Sequence, residues 1–222
     1  MQRKIIITGD GSKTIQISDW DEQYHSKHGA VQEAYHVFIK KGLQLFNNEH
    51  ISILEIGFGT GLNALITLME SKKLGLKIDY TGVEAYPVSI EEIAQLNYIE
   101  VLDVENFKEH FESMHNTPWE ESIAITPDFN LKKQQKDFKE IADDQQYHLI
   151  YFDAFGARVQ PELWTESVFS GMYTALKANG ILVTYAAKGS VRRAMQHVGF
   201  QVERLEGPPG KREMLRARKV LY

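Results

Sequence analysis

The spacing of hydrophobic and polar residues changes character near residue 49. Before it, β-branched runs on both sides of Asp10-Gly11 in KIIITGDGSKTIQI predict a hairpin. Apolar residues then recur at helical spacing in VQEAYHVFIKKGLQLF, and Gly42 is where we expect that helix to end or be interrupted. We therefore predict that residues 1–48 form a hairpin-and-helix extension packed on the core.

From Ile51 onward, short apolar strands alternate with helices. The pattern predicts strands in ISILEIG, LKIDYTGVEAYP, YHLIYFDAF and NGILVTYA, the last entered through a turn at Asn179-Gly180. It predicts helices in LNALITLMESKKLG, VSIEEIAQLN, PELWTESVFSGMYTALK and SVRRAMQHVG, and a closing hairpin in FQVERLE and EMLRARKV. Because such alternation favours right-handed crossovers, we predict that residues 49–222 form an α/β, doubly wound, Rossmann-like domain ending in an antiparallel hairpin.

Two segments have weaker patterns. TPWEESIAITPDF contains two prolines and is predicted to be irregular. NLKKQQKDF is polar and predicts a third strand, placed at an edge of the sheet because an edge exposes more of its side chains to water.

Composition narrows the class of protein. A hydrophobic fraction of 43% in 222 residues is enough for the core of one domain, with or without an extra lobe. Cysteine is absent, which excludes disulfides and a thiol nucleophile. No apolar run approaches the roughly 20 residues of a membrane span, and the apolar run near the N-terminus is too short for a signal peptide. We expect a cytoplasmic globular protein.

The charge is unevenly distributed. The chain carries a net charge of −5, yet residues 186–222 hold nine Lys and Arg against three Glu, a net +6. A basic segment on an acidic body suits a polyanionic partner, although solvated surface is the common alternative.

A glycine loop follows the first strand of the α/β region. In ILEIGFGTGLN, Gly57, Gly59 and Gly61 let the backbone turn sharply and approach a ligand closely. The nicotinamide fingerprint needs Gly or Ala where Leu62 stands, so that fit is poor. The spacing G-x-G-x-G after Glu55 resembles the loop of S-adenosylmethionine (SAM) methyltransferases, and we assign Asn63 to the same cofactor site.

Two further carboxylates are candidates for the cofactor site. Glu84 ends the next strand, 27 residues after Gly57, where it can accept hydrogen bonds from both ribose hydroxyls of a nucleoside. Asp137 can accept from an adenine amino group, which depends on the strand predicted in NLKKQQKDF. These carboxylates would suit either SAM or NAD, so they do not identify the cofactor.

Five motifs resemble one narrower family. They are YHSKHGAVQEAYHVFIKKGL, LEIGFGTGLN, YFDAFGARVQPELW, TYAAKGSVRRAMQHVGF and GPPGKREMLRA, in the order seen in MnmC-type tRNA-modifying methyltransferases and spanning Tyr24 to about Arg218. The resemblance implies a class I SAM methyltransferase that methylates the aminomethyl group of wobble (2-thio)uridine in tRNA. Some members are fused to an FAD-dependent oxidase, and the length of this chain suggests the stand-alone form.

The resemblance implies roles for several residues. Asp153 is expected to orient the substrate amine first and accept its proton second, while Phe155 and Trp164 exclude water. Tyr24, Gly29 and Glu33 match the N-terminal motif and are expected at the mouth of the cofactor or substrate site. Phe155 and Tyr185 are candidates for stacking on a base.

The same motifs place tRNA contacts near the C-terminus. We expect phosphate contacts from Lys188, Arg192, Arg193, Lys211 and Arg212, with Lys211 and Arg212 reaching outward from a hairpin turn. One departure is that Ala157 stands where the family has a proline. We therefore expect a more mobile loop in which Arg158 adds a phosphate contact.

Alternatives remain at this point. The chain is also compatible with a methyltransferase acting on a small-molecule amine, a nicotinamide oxidoreductase, or an RNA-binding module without activity. His25, His28 and Glu33 lack the spacing of a metal site, so no metal is expected.

Overall fold

A computed structural model describes residues 2–220 and contains one large sheet with helices on both faces. The strands are β1 Arg3–Ile7, β2 Lys13–Ile17, β3 Glu22–Gln23, β4 His50–Ile56, β5 Lys77–Glu84, β6 Ser122–Thr126, β7 Phe129–Gln135, β8 Tyr147–Phe152, β9 Leu176–Thr184, β10 Gln201–Glu206 and β11 Glu213–Arg218. The α-helices are α1 Ala30–Ala34, α2 Leu62–Lys73, α3 Ile90–Ile93, α4 Tyr98–Leu102, α5 Lys108–Asn116, α6 Glu166–Ala175 and α7 Gly189–Val198, and α1 continues into a π-helix, Tyr35–Lys40.

The large sheet has eight strands in the order β10-β11-β9-β8-β4-β5-β7-β6. The five strands from β9 to β7 are parallel, while β11 and β6 run antiparallel to their neighbours. The chain leaves β4 toward β5 on one side and returns to β8 on the other. The order of strands therefore reverses at β4, where ligands bind in open α/β sheets. The predicted fold class is confirmed.

Alternation along the central strands supplies two cores. Ile53 of β4 and Tyr151 of β8 are fully buried in a cluster with α2, α4 and α5, whereas Leu54 and Phe152 are fully buried in a second cluster with α6 and α7. A parallel sheet covered on both faces needs apolar side chains at successive positions, which explains the continuous runs in ISILEI and YHLIYF.

Three predictions for this region need correction. The segment predicted as irregular contains β6, and β7 lies inside the sheet, paired with β5 and β6. Phe129, Leu131 and Lys133 of β7 are all buried on one face. The half-exposed polar residues between them made the strand resemble an edge. The turn predicted at Asn179-Gly180 is an irregularity inside β9, where pairing moves from Tyr147–Leu176 to Leu149–Ile181.

The N-terminal hairpin forms as predicted, with Ile5 opposite Ile15 and β3 added beside β2. Two hydrogen bonds join it to the segments that follow β5: the Arg3 guanidinium donates to the Tyr86 carbonyl at 2.8 Å, and the Lys13 amide donates to Asn97 Oδ1 at 2.7 Å. The domain boundary at residue 48 stays a prediction. The end of the second domain at residue 222 also stays a prediction, because residues 221 and 222 lie outside the described residues. Between residues 2 and 220, no helix has the length and apolarity needed to cross a bilayer.

Gly57 and Gly11 together test how tightly the turn after β4 is packed. Both have positive φ, +89° and +83°, but a Cβ on Gly57 would lie 2.7 Å from the Asp153 carbonyl oxygen, whereas one on Gly11 would meet nothing within 4 Å. Gly11→Ala should lower the free energy of unfolding by about 1 kcal/mol, and Gly57→Ala by about 1–3 kcal/mol more. Urea unfolding measures both, and equal losses would show that β4 and β8 do not crowd this turn.

Candidate functional site

A cavity of about 420 Å³ opens at the carboxyl ends of β4, β5 and β8. The loops after these strands supply its floor, and residues between Trp20 and His28 cover one side. Its lining includes residues predicted for the cofactor, for catalysis and for the substrate or tRNA: Tyr24, Glu33, Gly57, Gly59, Asn63, Glu84, Asp137, Asp153, Phe155 and Lys211. Elements distant in sequence therefore meet in one place.

The glycine loop is shaped by backbone hydrogen bonds at the strand ends. The amides of Gly57 and Phe58 both donate to the Val83 carbonyl at 3.0 Å, and the Asp153 amide donates to the Ile56 carbonyl at 2.9 Å. Gly57 and Gly59 line the cavity, whereas Gly61 lies behind it and begins α2 with a φ of +72°. Gly61 therefore shapes the turn and does not contact the cavity.

Glu84 is held by the backbone on both sides. Its Oε2 accepts from the Gly59 amide at 3.0 Å and its Oε1 from the Tyr86 amide at 2.9 Å. Burial raises the pKa of this carboxyl, although the hydrogen bonds from these backbone amides oppose the shift. A carboxylate with both oxygens already oriented keeps free lone pairs that can accept from a pair of neighbouring hydroxyls.

Asn63 connects two acidic residues. Its Nδ2 donates to Glu55 Oε1 at 2.8 Å and to Asp153 Oδ2 at 2.9 Å. The Tyr80 hydroxyl donates to the other oxygen of Glu55 at 2.8 Å. Two carboxylate partners fix which way the amide faces, because only its NH₂ can donate to them. The Asp153 side chain is thereby held at the cavity wall.

Burial changes the protonation of both acids. The pKa of the Asp153 carboxyl is raised to about 7, first by burial and then by the Glu33 carboxylate, against the Asn63 hydrogen bond and the Lys211 ammonium. Burial likewise raises the pKa of Glu55 well above its usual range. Asp153 is therefore poised to take up or release a proton near neutral pH.

Aromatic rings enclose the space beside Asp153. The Phe155 ring meets Tyr24 edge-on at 5.0 Å and Trp20 at 5.7 Å between centroids. The Trp164 indole donates to the Phe155 carbonyl at 2.8 Å, and the Tyr185 hydroxyl donates to the Ala154 carbonyl at 2.8 Å. These bonds anchor the loop after β8 without the proline that the family resemblance led us to expect.

Glu55 and Gly29 are placed differently from the predictions. Glu55 does not line the cavity; it lies beneath Asn63 and acts through it. Gly29 is also outside the cavity lining. It packs closely against Asp10, since a Cβ on Gly29 would lie 2.5 Å from the Asp10 carboxylate. Its role is close packing at the start of α1.

The structure also places Arg158 and Lys211 differently from what the sequence led us to expect. The Arg158 guanidinium pairs with Glu22 at 2.9 Å and donates to the carbonyls of Trp20 and Asp21, so it fastens the loop to the N-terminal extension. Lys211 points inward, with its Nζ 2.5 Å from Glu33 Oε1 and 3.8 Å from the Tyr185 ring centroid. The prediction that Lys211 reaches outward is therefore wrong, while the phosphate contacts of both residues stay predictions.

The other predicted basic residues are unpaired. Within residues 2–220, no carboxylate forms an ion pair with the four that remain, Lys188, Arg192, Arg193 and Arg212. Lys188, Arg193 and Arg212 are exposed, and Arg192 is partly buried. Lys188 follows Tyr185 of the cavity by three residues, and Arg212 follows Lys211. Lys188 and Arg212 are therefore close in sequence to residues of the cavity lining.

Asp137 is at the rim of the cavity, exposed, with its carboxylate accepting from the Lys139 amide at 2.9 Å. Its predicted contact with an adenine stays a prediction. No group of three or more His, Asp or Glu side chains suited to a metal ion exists among the described residues.

Two contacts were not predicted. Tyr80 orients Glu55, and its signal was a tyrosine two residues after Ile78, on the same buried face of β5. His25 links the N-terminal hairpin to the glycine loop, contacting Thr14 at 2.8 Å and Thr60 at 3.5 Å, and burial lowers its pKa to about 4. A neutral imidazole there is structural.

The residues fit the amino-acid and nucleoside parts of a compound such as SAM. Within the described chain, Asn63 Oδ1 is a buried acceptor without a hydrogen-bond partner. An acceptor of this kind suits an ammonium group, while Gly57 leaves room for close approach of the ligand to the backbone. Glu84 suits ribose hydroxyls.

Comparison with known proteins gives a consistent result. A family model described as S-adenosyl-L-methionine-dependent methyltransferase matches residues 104–220. The tRNA 5-methylaminomethyl-2-thiouridine biosynthesis bifunctional protein MnmC of Leptospira interrogans is 30% identical over 228 residues, covering 95% of this chain and 34% of that protein. The protein of the same name from Cupriavidus metallidurans is 27% identical, covering 96% and 33%. The chain thus spans about a third of the length of these relatives.

Two solved structures resemble this chain in fold. The crystal structure of MNMC2 from Aquifex aeolicus has a TM-score of 0.79 and 25% identity, covering 98% of this chain and 70% of that chain. Spermidine synthase from Thermotoga maritima shares the fold at a TM-score of 0.55 and 13% identity, covering 99% and 72%.

The raised pKa of Asp153 predicts a pH-dependent cost in stability. Its pKa is about 7 in the folded chain and 3.8 when unperturbed. Between these values the folded protein holds a proton that the unfolded chain has lost, so stability falls as pH rises through the window, by at most about 1.4 kcal/mol per pH unit. Asp153→Asn removes this titration. We expect the variant's advantage in unfolding free energy to grow from pH 4 to pH 7 and then level off. Parallel denaturation curves at all pH values would contradict it.

Proposed function

The chain belongs to the S-adenosyl-L-methionine-dependent methyltransferase family, and from this premise we propose its substrate. We propose that it methylates the 5-aminomethyl group of wobble (2-thio)uridine in tRNA, giving 5-methylaminomethyl-(2-thio)uridine. The observation that carries the proposal is Asp153, a carboxyl with a pKa of about 7 beside an aromatic wall, in the same cavity as Glu84. The names of the relatives supply the substrate class.

SAM, when bound, supplies a methyl group carried on a sulfonium. We propose that Glu84 holds its ribose, that the glycine loop and Asn63 hold its amino-acid end, and that Asp137 lies toward its adenine. Asn63 Oδ1 is the acceptor available for an ammonium group. These assignments use lone pairs that the fold leaves unfilled.

The chain's own residues address the protonation of the substrate. An alkyl ammonium with a pKa near 10.4 is neutral in only about one molecule in 10³ at pH 7. Asp153 can accept hydrogen bonds from the amine, orient its lone pair and take its proton. Phe155, Tyr24 and Trp164 exclude water, which disfavours the charged amine.

Asp153 is held for this task by a chain of contacts. Asn63 fixes its Oδ2, and Glu55 and Tyr80 fix Asn63. Since every link is buried, the carboxyl keeps one orientation without help from the substrate.

The tRNA would lie along the unpaired basic residues beside the cavity. Phosphate contacts position a nucleic acid, and aromatic side chains stack on an unstacked base. We assign the first role to Lys188, Arg192, Arg193 and Arg212 and the second to Phe155 or Tyr185. A tRNA substrate also implies a cytoplasmic location.

Nucleoside mass spectrometry tests the reaction. Incubating the protein with SAM and tRNA bearing the 5-aminomethyl group should add one methyl group, about 14 mass units, to that nucleoside alone. Asp153→Ala should abolish turnover while SAM affinity, measured by calorimetry, is roughly kept. Wild-type turnover in this variant would remove Asp153 from the mechanism. Methylation of free aminomethyluridine as fast as of tRNA would favour a small-molecule amine as the substrate.

The basic surface is tested by the salt dependence of tRNA binding. Charge reversal at Arg192 and Arg193 should weaken binding and flatten the plot of log affinity against log salt, by about one unit of slope for each phosphate that these arginines neutralise. Lys72→Glu, at an exposed lysine near the end of α2, is the matched control and should keep the wild-type slope. An unchanged slope in the double variant would exclude both arginines from the contact surface.

A further inference from the structure

A resident cation lies in the substrate end of the cavity. The Lys211 ammonium contacts Glu33 Oε1 at 2.5 Å and lies 3.8 Å from the centroid of the Tyr185 ring. Glu33 is itself fixed, because its Oε2 accepts from the Ser26 amide at 3.0 Å. Lys211 belongs to a tight turn in which its amide donates to the Pro208 carbonyl at 2.9 Å. The position of the charge is therefore restrained from both sides.

This cation is close to Asp153. The Lys211 ammonium lies over the Tyr185 ring, and the Tyr185 hydroxyl donates a hydrogen bond to the carbonyl of Ala154, the residue after Asp153. Lys211 and Glu33 act on the Asp153 carboxyl in opposite directions, the ammonium lowering its pKa and the carboxylate raising it. The residue thus acts on the group proposed to receive the substrate's proton.

We infer that Lys211 is a positioning residue whose fixed charge makes the substrate amine bind beside Asp153 in its neutral form. This inference rests on the proposed function. An ionised Asp153 alone would stabilise the ammonium and work against methylation, whereas a cation in the same cavity disfavours the ammonium, and the Glu33 carboxylate paired with Lys211 opposes this effect. As the amine enters, one N–H bond breaks, its electron pair stays on nitrogen as the lone pair, and the proton forms an O–H bond with Asp153.

Other charged and titratable groups face this cluster and stay the same in every variant that tests the inference. They are Glu22 of β3, Tyr24 and His28 of the segment that follows, and Tyr185 after β9, while Glu55 of β4 and Tyr80 of β5 lie behind Asn63. Glu33 is the acidic group in contact with Lys211, so it provides the opposite perturbation at the same place.

Two simpler roles for Lys211 make different predictions. If Lys211 contacted a phosphate, its loss would raise KM for tRNA and reduce the slope of log affinity against log salt, without changing the pH dependence of kcat. If Lys211 only linked the turn at 207–212 to α1, its loss would lower thermal stability without changing the titration of Asp153. The pH profile and the titration therefore separate the three roles.

The test compares Lys211→Met, Lys211→Arg and Glu33→Gln, with Lys4→Met as a control for loss of a lysine outside the cavity lining. Loss of the Lys211 charge should move the acid limb of kcat/KM to higher pH by about one unit, so that activity at pH 6 falls about tenfold and activity at pH 9 changes little. Lys211→Arg should restore the wild-type profile, and Glu33→Gln should move the limb to lower pH.

A second readout needs no substrate. The midpoint of the Asp153 carboxyl, followed by carbon-13 NMR, should rise in Lys211→Met and fall in Glu33→Gln. Unmoved midpoints would overturn the inference, whatever the substrate is. If the midpoints move but wild-type protein methylates no tRNA, the effect of Lys211 on Asp153 stands and the proposed function fails.

Discussion

The site depends on one amide group that serves two carboxyls. Asn63 Nδ2 lies 2.8 Å from Glu55 and 2.9 Å from Asp153, where Asn63 and Glu55 are buried and Asp153 is half-buried at the cavity wall. Burying acidic groups is costly unless hydrogen bonds compensate, and the cost appears as raised pKa values. The protein uses that cost: a carboxyl that is reluctant to ionise is suited to receive a proton at neutral pH.

The topology of the sheet makes this arrangement possible. Because β8 returns to pair beside β4, the ends of two strands separated by nearly a hundred residues are joined by the bond from the Asp153 amide to the Ile56 carbonyl. The glycine loop then passes so close to Asp153 that a Cβ at Gly57 would collide with its backbone. Glu84 comes to the same crevice from β5, and the N-terminal extension closes it with Tyr24 and Glu33. The residues proposed for the cofactor and for the substrate therefore line one cavity.

Local patterns predicted much of this from sequence. The alternation of strands and helices, the glycine spacing and the acidic strand ends were sufficient for the fold and for expecting Glu84 and Asp153 in one cavity. Strand β7 was placed at an edge because a strand buried on one face shows the same polar alternation. The exact contacts of Glu55, Arg158 and Lys211 could not be predicted, since each depends on a partner's side-chain direction. Glu33 and Lys211 are 178 residues apart, and no local pattern indicates that they pair.

The central claim is that Asp153 is a partly protonated carboxyl beside the methyl donor, and the proton linkage of SAM binding tests it most directly. Calorimetry at pH 7 in buffers of different ionisation enthalpy measures protons released on binding. A bound sulfonium should lower the pKa of Asp153, so SAM should release a fraction of a proton, S-adenosylhomocysteine less, and SAM with Asp153→Asn none. Equal release by wild type and Asp153→Asn, or none by either, would contradict the account.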